Sequence, residues 1–203
     1  PLNYTFILAF NAIGYKWVLM GYYGVSFPHR YTENKYTKLS IRETKMKVLS
    51  LAVDGLERAH AEGLLTWAFQ QDADVICFQD TRCSEYSLPS NDFFPENYHA
   101  YFADNYDDAK MNGVAIYCKQ MPKAVMFGLG FMDFDHLGIY IQADYDDCSV
   151  GSIMVPHAVG ERGDKELKMR FLQQLGAHLQ KVRNKKRDFI LCGGWELAWQ
   201  PRD

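Results

Sequence analysis

Apolar positions along this chain fall into short blocks separated by polar punctuation. Val75, Ile76, Cys77 and Phe78 form a continuous run, closed by Asp72 and Asp74 before it and by Gln79, Asp80, Thr81 and Arg82 after it. A run of this length between polar stops predicts a strand buried on both faces. Upstream, Leu56, Ala59, Leu64, Trp67 and Ala68 recur near helical spacing, which predicts a helix over 56–71 with Gly63 as its weak point. Residues 47–53 read as an earlier strand, turned by Asp54-Gly55. A strand, a helix and a second strand predict parallel pairing through a crossover. Polar residues at the carboxyl end of such a strand are where α/β folds gather their sites, which singles out Asp80.

The remaining pattern is mostly β. Residues 83–97 carry Ser84, Ser87, Pro89, Ser90, Asn91 and Pro95 and read as loop. Strands are predicted at 98–102, 113–118 and 124–130, and a hairpin at 140–145 and 148–155 across Asp146-Asp147. Leu167, Phe171, Leu172, Leu175, Leu179 and Val182 lie close to one face of a helix predicted over 165–186, with Asp164 placed to cap it. A last buried strand is predicted at 189–192. Strands 48–51, 75–78, 113–118 and 189–192 are expected in one mostly complete sheet.

Composition changes this picture at one place. Residues 1–45 are aromatic and basic, with six Lys/Arg against two acids. Taking these from the chain's 22 basic and 25 acidic residues leaves 16 and 23 in 46–203, a balance of −7. The early apolar stretch is interrupted by Lys16 and several glycines, so neither a membrane span nor a signal peptide is expected. Residues 1–45 are expected to be an extension outside the fold, and 46–203 the domain. An acidic domain argues against strong direct binding to nucleic acid alone. The five cysteines show no CxxC spacing, so no zinc site or disulfide framework is expected, and the usage suits a reducing cytoplasm.

Several polar groups invite a functional reading. Lys181, Arg183, Lys185, Lys186 and Arg187 crowd the end of the last helix. They form either a solvated helix end that complements the dipole or an interaction patch. His157 follows Pro156 at a strand end and reads as a loop residue. Gly128/Gly130 and Gly193-Gly194 lack the context of a phosphate loop.

The order strand, Asp-Gly turn, helix, buried strand ending Gln79-Asp80-Thr81, then Gly113-Val-Ala-Ile and a strand ending Gly193-Gly194-Trp195-Glu196 resembles the endonuclease/exonuclease/phosphatase superfamily. Its exonuclease III branch is the nearest enzyme group. Segments 72–82, 113–131, 140–156 and 184–195 resemble the catabolite repression control (Crc) proteins within it. The resemblance implies an α/β sandwich of two packed sheets flanked by helices, with its carboxyl-terminal part missing here. It also implies a divalent ion held by carboxylates and an Asp that activates water.

Matched residue by residue, that set is degenerate. The family's first-strand Asn falls at Ala52, its metal-binding Glu at Asp80 and its strand-end Tyr at Met154. The Asp and Asn of its Gly-Asp-x-Asn motif fall at Gly194 and Glu196. Asp54 and Glu196 are possible substitute ligands, with Asp54 more simply a turn residue, and Asp80 is the one weak metal candidate. The resemblance therefore implies a non-enzymatic translational co-repressor without a cofactor. It would act with the RNA chaperone Hfq on A-rich mRNA, and a second copy of the chain is a further possible partner. The alternative is a magnesium-dependent DNA hydrolase of the exonuclease III or AP-endonuclease type. Because the expected second layer is absent, apolar faces are expected to be exposed.

Overall fold

The computed structural model describes residues 5–11, 14–20, 46–158, 163–185 and 187–195, the first two stretches by backbone course alone. Ten strands are described: β1 Thr5–Asn11, β2 Gly14–Met20, β3 Val48–Ala52, β4 Val75–Gln79, β5 His99–Ala103, β6 Val114–Cys118, β7 Ala124–Phe127, β8 Tyr140–Asp144, β9 Cys148–Met154 and β10 Asp188–Gly194. The α-helices are α1 Leu56–Ala61, α2 Leu64–Gln70 and α3 Lys165–Arg183.

The strands make two mixed sheets. One has the order β3-β4-β6-β5, the other β2-β1-β10-β9-β8-β7. The crossover expected from the sequence is present: β3 and β4 pair in parallel, Val48 opposite Val75 and Ala52 opposite Gln79. The helix between them is two helices, because Gly63 takes a left-handed φ of 79° and starts a new turn sequence.

Alternation explains how β4 and β6 become buried on both faces. Val75, Cys77, Val114, Ile116 and Cys118 face the cluster shared with the larger sheet. Their neighbours Ile76, Phe78, Ala115 and Tyr117 join Leu56, Ala59, Leu65 and Ala68 of α1 and α2. Residues i and i+2 of a strand share a face, so one run of four apolar residues serves two cores.

α3 lays Phe171, Leu175 and Val182 into the first of these clusters. Asp164 caps it, its Oδ1 accepting from the Leu167 amide at 2.8 Å. Phe134 stacks edge-on against Phe171 at 5.2 Å between ring centroids.

The expectation that 189–192 shares a sheet with 48–51, 75–78 and 113–118 is corrected. β10 lies parallel beside β9 in the larger sheet, Asp188 opposite Cys148 and Gly194 opposite Met154. The cause is α3, which carries the chain from the end of β9 back to its start, as parallel neighbours require. The second sheet expected to be absent is thus built from β7 to β10, with β1 paired antiparallel on the β10 edge. Among the described residues no helix is long and apolar enough to cross a membrane.

Candidate active site

The carboxyl ends of β3 and β4 meet those of β9 and β10. Ala52 is paired with Gln79 across one sheet, and Met154 with Gly194 across the other. A side-chain carbon built at Gly194 would stand 4.0 Å from Gln79 Cβ, so the two pairs face each other. Four of the positions singled out in the sequence therefore converge on one rim, Asp80 following Gln79.

Beneath that rim the sheets are tied by amide and hydroxyl groups. Gln79 is 1% exposed, and its Nε2 donates to Ser152 Oγ at 2.9 Å and to Ser50 Oγ at 3.2 Å. Ser152 Oγ donates in turn to the Phe78 carbonyl at 3.2 Å. A buried amide needs such partners, and these fix the relative placement of the two sheets at the rim.

The charged part of the site sits on two loops bound together by main chain. The Gly55 and Leu56 amides donate to the carbonyls of Asp80 and Thr81, both at 2.8 Å. Thr81 and Arg82 amides donate to the carbonyls of Gly113 and Asn112 at 3.0 and 2.8 Å. Asp54, Asp80, Arg82 and Asn112 all have positive φ, between 49° and 59°. Left-handed backbone at non-glycine residues is unfavourable and persists where surrounding structure enforces it, commonly at functional sites.

This strain aims the side chains. Arg82 Nε donates to Asp80 Oδ1 at 3.0 Å and Nη2 to Asp80 Oδ2 at 2.6 Å, a two-pronged contact. The same Nη2 pairs with Asp54 Oδ1. Arg58 Nη2 holds Asp54 Oδ2 at 2.7 Å. Hydrogen bonding to Asp80 raises the Arg82 pKa above its ordinary value. Asp54 is thus both the turn residue expected and a partner of the site.

The sequence-singled positions divide accordingly. Ala52, Met154 and Gly194 reach the rim without a side-chain group that could ligate a cation or move a proton. Asp54 and Asp80 bring carboxylates. Glu196 and Lys186 lie outside the described residues. At the end of α3, Lys181, Arg183 and Lys185 are exposed. Arg187 instead folds back, its Nε donating to Ser149 Oγ at 2.9 Å and its Nη2 to the Cys148 carbonyl at 2.8 Å. It serves the β8–β9 hairpin, not a surface patch. Arg82 was missed in the sequence; the available signal was an opposite charge two residues after the strand-end acid.

The model of the endonuclease/exonuclease/phosphatase family matches residues 50–195, the span that builds both sheets and this rim. The chain belongs to that family. It is 33% identical over 172 residues to the DNA repair nuclease APEX1 of Danio rerio, covering 83% of this chain and 54% of that protein. An exodeoxyribonuclease of Bacillus subtilis is 29% identical over 160 residues, 78% of this chain and 61% of the relative. An AP endonuclease structure from Archaeoglobus fulgidus superposes with a TM-score of 0.66 at 26% identity, covering 78% and 60% of the two chains. The chain spans about half the length of the zebrafish relative.

These relatives correct the functional expectation. They are named as nucleases and endonucleases, which overturns the reading of a non-enzymatic co-repressor working with Hfq. The specific likeness to Crc proteins is not found among these relatives, whereas the family is. The acidic balance of 46–203 is a sum over the whole surface. Contact with a phosphate depends on the local arrangement, and here two arginines stand at the rim.

Enzymes of this family typically depend on a metal ion. Among the described residues no group of three or more His, Cys, Asp or Glu side chains could hold an ion. All four carboxylate oxygens of Asp54 and Asp80 are already paired with guanidinium groups. As they stand, these residues do not fit a divalent cation.

Proposed function

We propose that this chain works on DNA as a phosphodiester hydrolase of the AP-endonuclease or exonuclease type. The observation that carries the reading is the 33% identity over 172 residues to a DNA repair nuclease, in a chain whose family match, residues 50–195, includes Asp54 and Asp80 at the sheet ends. Hydrolysis of a phosphodiester needs positive charge against the phosphate oxygens and a base to orient water. Arg58 and Arg82 are the cationic groups on the rim, and Asp54 and Asp80 the carboxylates. The left-handed backbone at Asp54, Asp80 and Arg82, with the ion pair from Arg58 to Asp54, holds these four groups in fixed relation, which supplies orientation without further ordering.

The test is incubation with a duplex bearing one abasic site, in magnesium and in manganese. Nicking is expected, with Asp80→Ala slower by about a hundredfold, the scale on which misplacing a positioned group such as Arg82 slows a reaction. A chain that leaves the abasic duplex intact in both metals, at high enzyme excess, would overturn the proposal.

A further inference from the structure

We infer that Arg82 is a resident cation of this site, holding Asp54 and Asp80 together so that a divalent ion reaches them only by displacing it. The inference rests on the hydrolase reading in one respect: the metal-binding Glu of the hydrolase family falls at Asp80, which makes it the carboxylate an ion would seek.

The geometry is that of a fixed contact. Arg82 presents its fork to both oxygens of Asp80, at 3.0 and 2.6 Å, and shares Nη2 with Asp54. A planar guanidinium matches a carboxylate in this way, whereas a lysine meets it as a point charge. The Asp80 side chain is 13% exposed and that of Arg82 29%, so water only partly screens the pair. The backbone leaves little slack. Arg82 is held at φ 52° by the Asn112 carbonyl, and Asp80 at φ 58° with its carbonyl on the Gly55 amide. The Asp54 loop and the Asp80–Arg82 turn are therefore tied together through both main chain and side chains.

The consequence is competition. Magnesium takes oxygen lone pairs at about 2.1 Å and tolerates poor geometry badly. Here each carboxylate oxygen of Asp54 and Asp80 is already paired with a guanidinium, and the two arginines offset most of the charge that would attract an ion. An arriving ion would have to break the fork and would then face the charge of Arg82 at close range. Removing the guanidinium reverses both effects.

The experiment measures manganese binding to the full chain from the electron-spin signal of the unbound ion. Arg82→Gln is expected to bind at least about tenfold tighter than the wild type, because one like-charge repulsion is gone. Arg82→Lys, which keeps the charge and loses the fork, should fall between them. Equal affinities for wild type and a folded Arg82→Gln would overturn the inference. Should Arg82→Gln fail to fold, the wild type decides. Its Arg82 Nε–H resonance, protected by Asp80, should persist into millimolar magnesium, and its disappearance at the first additions would sink the idea. Cleavage of the abasic duplex is scored separately. No cleavage with tighter binding by Arg82→Gln leaves the inference standing and removes the hydrolase reading. Cleavage with unchanged manganese affinity does the opposite.

Discussion

Gly113 holds the turn that aims Asp80 and Arg82, and replacing it by alanine tests that role. Gly113 has a φ of +96°, and its carbonyl accepts the Thr81 amide at 3.0 Å. A Cβ added there would stand 2.3 Å from Thr81 Oγ1 and 3.4 Å from the Arg82 nitrogen. Thr81 is 1% exposed and cannot swing into solvent. Two penalties add. Positive φ at a residue with a Cβ costs about 1–2 kcal/mol, and forced overlap in a packed region about 1–3 kcal/mol. Gly113→Ala should therefore lower the unfolding free energy by about 2–5 kcal/mol, read from urea unfolding at constant m.

The two parts separate in a double-mutant cycle. Thr81→Ala removes the hydroxyl that collides, and its remaining Cβ would lie 3.6 Å from the new one, an ordinary contact. By itself Thr81→Ala should lose about 1 kcal/mol, for one small buried group. In its background Gly113→Ala should lose only the φ penalty, so the coupling favours the double variant by about 1–3 kcal/mol. If Gly113→Ala is equally harmful with and without the Thr81 hydroxyl, the overlap is not the cause and the reasoning is wrong.

Two further outcomes are expected. In the Arg82→Gln background, Gly194→Asp should bind manganese more tightly still and raise the unfolding midpoint when manganese is added, because the added side chain has room beside Gln79 and meets the same rim; no gain over Arg82→Gln alone would show that β10 does not share the site. Burial, then Lys185 and Lys181, lower the His178 pKa, so its contribution to stability is whole above the unfolded value of about 6.5 and is lost as pH falls through the lower folded value. Urea unfolding at about pH 8 and about pH 5 should show the wild type losing more stability than His178→Gln, and equal losses would refute this.

How much of this was legible in the sequence follows from what each pattern encodes. Alternation and apolar runs record which faces are buried, so β3, β4, β6, β8 and β9 were found within a residue or two of their observed limits. The same pattern does not record which strand lies beside which. Phe189, Leu191 and Cys192 would read alike in either sheet, and only the crossover through α3 assigns them to β9. The contacts joining Gln79, Ser50 and Ser152 leave no local signature because the partners are distant in sequence: Ser152 is 73 positions from Gln79.

The site shows the same division at higher stakes. The positions Ala52, Asp80, Met154 and Gly194 come from the family resemblance, and the structure brings them to one rim because they end strands that pair or face each other. The Arg82 fork was not legible in that way, because it depends on left-handed backbone at Asp54, Asp80 and Arg82, and none of these is a glycine that would advertise it. A strand-end acid alone reads as a ligand waiting for an ion. The same acid with a guanidinium on both oxygens is a salt bridge that an ion must first break. Judging whether a family site persists thus requires the partners of the surviving carboxylates as well as their count, and here the partner is two residues along the chain.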